Sequence, residues 1–420
     1  MALIENVGAK IGAVSEDNPQ RARQLLTAGF RANGVKNKLA SKRSSKSDRM
    51  LFQLVNRAMV TCLAKPQSNV MVSLFTPCEM LHLQGLHPYS CEGFSSYLSG
   101  AMAEQPFLHQ AEDTGIPNSL CSYHKVFIGA AQMGLMPKPR FILSTSLACD
   151  ANTLTFRHLA QFYDVPHFNV DIPFESSPQA VDYVAGQLRQ MGEFLTRQTG
   201  LPLDDGQLAR TVARSQRTMA LYHRGLRLRA GRQVLSDLTS ELLRTAAFHF
   251  LLGTPETEAY ARQLLREITT APPAQGKQLL WIHTTPYWVA PLRHLFAQST
   301  RVQVAACDMS YEGIVEADPT KPYEAMARRL VYSPFNGPAQ RRIDRALEMA
   351  KTVGADGAVW FCHWGCKHTL GGARLGKKAL EEAGLPTLLL DGDSCDRGFG
   401  GEGQAATRME AFLVVLEGMA

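Results

Sequence analysis

The chain's most chemically suggestive stretch is Cys362-His363-Trp364-Gly365-Cys366-Lys367. It follows the apolar run Ala358-Val359-Trp360-Phe361 and opens onto a helical pattern. Soft thiolate ligands would therefore stand at the carboxyl end of a strand, where α/β sheets hold their chemistry. Cys121 and Cys149 occupy comparable places upstream, each next to the start of a helical pattern. A helix beginning near Lys367 would aim backbone N–H groups at Cys366 and favour its thiolate. Three thiolates from distant segments can converge on one metal centre, although a buried cysteine in a tight turn would account for any one of them alone.

Zinc is a competing reading, because Cys362, His363, Cys366 and His368 lie close together. The second Cys or His pair that a structural zinc site draws on is missing. No Cys/His/Asn arrangement marks a nucleophilic cysteine. The compact run of closely spaced cysteines found in ferredoxins is absent, so a cluster would have to be built by the fold from separate segments. No Gly-x-x-x-x-Gly-Lys-Ser/Thr cradle is present, which argues against ATP hydrolysis by this chain.

The elements that would position these residues alternate. Met71–Phe75, Phe141–Leu143 and Val165–Val170 read as strands separated by helical pattern, including Ala151–Tyr163. Strand–helix–strand order marks a parallel sheet. Val181, Val184, Leu188, Met191 and Leu195 recur at helical spacing, and Leu235, Leu238, Leu242 and Leu243 repeat it. Leu279–Ile282, Val302–Ala305, Ala358–Phe361 and Leu388–Leu390 read as a second set of strands, with helices over Lys377–Ala383 and Ala405–Leu416. The fold class expected is α/β, with two Rossmann- or flavodoxin-like parallel-sheet lobes. A helical region over 1–65, a first lobe over 66–175, a helical connector over 176–270 and a second lobe over 271–420 make up the chain.

Composition sets the outer bounds. The 420 residues are 45% hydrophobic and 20% charged, as in a globular protein with a substantial core. No apolar stretch approaches the roughly 20 residues that span a bilayer, and the start lacks a secretory pattern. The cytoplasm is the expected compartment, with no membrane partner. Nine cysteines in a reducing compartment argue against a disulfide framework. The net charge of +6 is partly gathered in Lys36, Lys38, Lys42, Arg43, Lys46 and Arg49. That run has few interleaved aromatics, so a solvated helix face or linker is the reading, with no nucleic-acid partner.

With these residues in view, the chain resembles the 2-hydroxyacyl-CoA dehydratase family, which includes benzoyl-CoA reductase subunits and double-cubane-cluster proteins. The resemblance is carried by Thr76-Pro77-Cys78-Glu79-Met80-Leu81-His82, Leu120-Cys121-Ser122-Tyr123, Cys149-Asp150-Ala151 and His363-Trp364-Gly365-Cys366-Lys367. It extends through Leu385-Pro386-Thr387-Leu388, Asp391-Gly392-Asp393, Gly403-Gln404 and Thr407–Phe412. It implies a [4Fe-4S] cluster between the lobes, held by Cys121, Cys149 and Cys366, with one iron open. It also implies a lyase that expels water from a 2-hydroxyacyl-CoA by radical chemistry, after an ATP-dependent activator protein injects one electron. The partner would be a second homologous subunit, or a second copy. A homodimeric double-cubane reductase or a benzoyl-CoA reductase-like subunit would share the three cysteines, and a non-catalytic scaffold would share the fold. Glu79 and His82, one helical turn apart, are candidates to face the substrate, with capping or packing as the alternative role. Cys78, Cys362 and Cys395 are candidate substitute ligands. Asp391 and Asp393 would orient a loop, and Arg408 and Glu410 would bridge helix faces.

Overall fold

The computed structural model describes residues 2–39, 44–234, 236–311 and 316–419. Lys42, Arg43, Leu235 and part of the polar break near Ser41 lie outside the described residues. The chain opens with three helices, α1 (Ala2–Asp17), α2 (Pro19–Leu39) and α3 (Lys46–Ala64). Ser45 caps α3 by accepting from the amide of Asp48. Lys36, Lys38 and Lys46 are solvent-exposed on these helices, as a solvated face requires.

The first sheet follows. β1 (Asn69–Val72) leads through α4 (Glu79–Leu83) to β2 (His87–Ser90). Next come α5 (Cys91–Gly100), α6 (Gln105–Asp113) and α7 (Ser122–Gln132), then β3 (Phe141–Thr145), α8 (Asp150–Tyr163) and β4 (His167–Val170). All pairings are parallel, in the order β2-β1-β3-β4. β1 and β3 are buried along their whole length, because a central parallel strand is covered on both faces.

Four helices then run in series: α9 (Pro178–Thr199), α10 (Asp205–Leu228), α11 (Leu238–Phe250) and α12 (Pro255–Thr270). The periodic residues Val181, Val184, Leu188, Met191 and Leu195 form the buried face of α9. α9 stops at Gly200, whose φ of 75° supplies the left-handed cap.

The second sheet takes β5 (Lys277–Ile282), α13 (Ala290–Phe296), β6 (Val302–Cys307), α14 (Pro322–Val331) and α15 (Ala339–Val353). β7 (Gly357–His363), α16 (Lys367–Glu382), β8 (Thr387–Gly392) and α17 (Glu402–Gly418) complete it. Its order is β6-β5-β7-β8, again all parallel. The chain is thus an α/β protein with two Rossmann-like lobes. β2 is the strand that sequence patterning did not reveal. Its His-Pro-Tyr-Ser carries no apolar run, and its proline is tolerated because β2 is an edge strand.

Candidate functional site between the lobes

Cys121, Cys149 and Cys366 each occupy the residue just before a helix, at the N-termini of α7, α8 and α16. All three line one cavity of about 370 Å³. Its walls also come from the carboxyl ends of β2, β5 and β7 and from α2, α3, α5 and α11. The sequence-predicted trio is therefore brought together at the strand ends of both lobes, where α/β sheets place ligands.

Two features draw the lobes together at Cys121. Gly365 has a φ of 75°, and a Cβ there would stand 2.8 Å from the Cα and the N of Cys121. Only a glycine lets the β7–α16 turn press so closely against the opposite loop. Ser122 donates from its hydroxyl to Asp393 Oδ1 at 2.7 Å. The same oxygen accepts the amides of Cys395 and Asp396, each at 2.7 Å, so Asp393 shapes its own loop and holds the opposite lobe.

His363 completes this junction. Its Nε2 lies 3.3 Å from Cys121 Sγ. Its Nδ1 faces the amide of Ser394 at 3.2 Å. A backbone amide can only donate, so Nδ1 is the acceptor and Nε2 carries the hydrogen directed at the sulfur. Burial lowers the His363 pKa and keeps the ring neutral, although Asp393 partly opposes this.

The thiols sit in a guarded environment. Burial pushes Cys121 well above its ordinary value, and the nearby Cys366, Asp393 and Cys149 raise it further. Cys149 is pushed up to about 12 by burial and then by Cys366. Burial raises Cys366 too, against the amides of Thr369 and His368 and the charge of Arg342. The amides of Tyr123 and of Asn152 and Ala151 similarly favour the thiolates of Cys121 and Cys149, though no amide reaches full capping geometry. Thiols that burial holds protonated become ligands when a cation takes the proton's place. Arg342 is itself fixed by Asp308 at 2.8 Å and donates to His368 Nδ1 at 3.2 Å.

Other residues went elsewhere. Glu79 is fully buried outside the cavity, paired to Arg329 at 2.7 and 3.1 Å and to Ser215 at 2.9 Å. Burial would raise its pKa, but the guanidinium outweighs that and holds the carboxyl below the ordinary range. His82 Nε2 is 3.0 Å from the carbonyl of Phe250, behind the cavity wall. The structure thus brings neither Glu79 nor His82 to the cysteines. Cys362 neighbours His363 on β7 and so points to the opposite face, near Asp391 and Arg408. Cys78 and Cys395 are buried and do not line the cavity. Among the described residues no three His, Cys, Asp or Glu side chains are close enough to share a single ion, which does not favour the zinc reading. Arg408 pairs with Asp391 at 2.9 Å, and Glu410 with Arg301 at 2.8 Å.

Two cavity residues escaped the sequence reading. Glu92, on α5, accepts from the Ser90 hydroxyl at 2.6 Å, and burial raises its pKa above the usual carboxylate range. Burial of this kind favours the protonated carboxyl, the form that can donate a proton. His283 follows β5 directly with a φ of 83°, and its Nδ1 has no hydrogen-bond partner among the described residues. The available signal was its place at a strand's carboxyl end.

Two parallel-sheet lobes, with three cysteines lining one cavity at their strand ends, define the class by architecture. Residues 73–416 match the family described as 2-hydroxyglutaryl-CoA dehydratase, D-component, and the chain belongs to that family. It is also similar to the (R)-phenyllactyl-CoA dehydratase alpha subunit of Clostridium sporogenes, at 21% identity over 337 residues, covering 74% of this chain and 80% of the relative. Among the described residues no helix is long and apolar enough to cross a membrane.

Proposed function

We propose that this chain is the iron–sulfur subunit of a cytoplasmic 2-hydroxyacyl-CoA dehydratase. In this reading Cys121, Cys149 and Cys366 hold a [4Fe-4S] cluster, a separate ATP-driven activator supplies an electron, and a second homologous subunit completes the enzyme. The observation that carries it is the convergence of three cysteines from three segments on one cavity. The donor set fits the group. Each thiolate of a cluster binds a different iron, so its ligands stand further apart than ligands of one ion, and helix-start amides favour the anionic sulfurs. When bound, the cluster supplies a low-potential electron and an iron site open to the substrate.

The chain's own residues do the rest. His363 directs an N–H at Cys121, and Asp393 keeps the two loops in register. Glu92 lines the wall as a carboxyl that burial favours in its protonated, proton-donating form. The relative's name as an alpha subunit supports a partner subunit for this chain as well.

Anaerobic purification followed by iron and acid-labile sulfide analysis tests the assignment. About four irons per chain are expected, falling sharply in each of Cys121→Ala, Cys149→Ala and Cys366→Ala but not in Cys78→Ala. A colourless protein, or one whose iron ignores these substitutions, rejects it.

A further inference from the structure

We infer that the cavity takes a 2-hydroxyacyl-CoA whose acyl side chain is uncharged, bulky and hydrophobic. This rests on the dehydratase reading and adds to it the acyl class. The histidines of the cavity are gathered at its cysteine end. His363 touches Cys121, and the amide of His124 bonds the Cys121 carbonyl at 3.0 Å. His368 lies two residues past Cys366, and the His283 ring centroid is 5.9 Å from that of His363. These are the four histidines lining the cavity among the described residues.

The wall built by α2, α3 and α11 is different. Phe30, Phe52, Val55, Met59, Leu243 and Phe250 dominate it, and among its described residues none is charged. Elsewhere on the lining the charged side chains are Glu92 and Arg293. Glu92 supplies no counter-charge to a carboxylate in either protonation state, and Arg293 already has a partner within the protein. An acyl carboxylate lying against α2, α3 and α11 would be stripped of water with no counter-ion, whereas an aromatic or branched aliphatic group would gain from burial.

The test is calorimetric titration of the anaerobically purified, iron-containing protein, with any copurifying subunit. Four probes are used: 3-phenyl-2-hydroxypropanoyl-CoA, 2-hydroxy-4-methylpentanoyl-CoA, lactyl-CoA and 2-hydroxyglutaryl-CoA. The first two are expected to bind at least tenfold more tightly than the last. Ala58→Phe, which fills the same wall, should weaken the first two by at least tenfold and lactyl-CoA by much less. Tighter binding of 2-hydroxyglutaryl-CoA overturns the inference, and so does equal affinity across the panel, which would put the shared pantetheine arm on this wall. Failure of all four probes to bind instead sinks the dehydratase reading itself.

Discussion

His363 Nε2 stands 3.3 Å from Cys121 Sγ, although the two residues are 242 positions apart and belong to opposite lobes. The tautomer that the Ser394 amide imposes makes this contact a donor to sulfur. His363 is thus a positioning residue for Cys121.

His363→Ala should lower iron retention against a chelator by about 10- to 100-fold, the usual cost of losing a ligand's outer partner. The cluster remaining in the variant should have a lower reduction potential, because a hydrogen bond to sulfur stabilises the reduced form. Potentiometric titration with EPR detection checks this. An unchanged potential would show that His363 only fills space.

His283 is expected to trade stability for function. A non-glycine residue at a φ of 83° carries about 1–3 kcal/mol of backbone strain. His283→Gly should therefore unfold at the same or a higher urea concentration while turnover falls at least tenfold. A variant that loses stability and keeps its turnover would contradict that role.

Glu79 governs stability in acid. Its folded pKa lies below the ordinary value of 4.5, because Arg329 outweighs burial. The stability it contributes is fully present above that value and is lost as the pH falls through the folded pKa. Urea midpoints should drop as the pH is lowered through and below 4.5, and Glu79→Gln should flatten that dependence. At pH 7 the substitution should cost on the order of 3 kcal/mol by breaking a buried ion pair. Iron bound by the folded variant should stay near the wild-type level, since Glu79 lies outside the cavity.

Local pattern made most of the fold legible. Seven strands carry apolar runs that mark them, and the three cysteines stand where strand and helix patterns change. The apolar run Met71–Phe75 overshoots its strand, which is Asn69–Val72 and ends where the Ser73 hydroxyl turns to accept the Thr145 amide. What one sequence does not display is pairing at long range. Ser122 meets Asp393 across 271 positions and Glu79 meets Arg329 across 250, and neither partner has a neighbouring residue that announces it. From sequence, Glu79 beside the first strand reads as either substrate-facing or packing, and its distant pairing with Arg329 favours packing. Glu92 follows a strand without an apolar run and so drew no notice.

The tight seat of Gly365 on Cys121 also sets a schedule for biogenesis. Cys121 is synthesised first, and its histidine neighbour follows 242 positions later. The cleft around Cys121 is therefore complete only once the second sheet has been made and folded against the first.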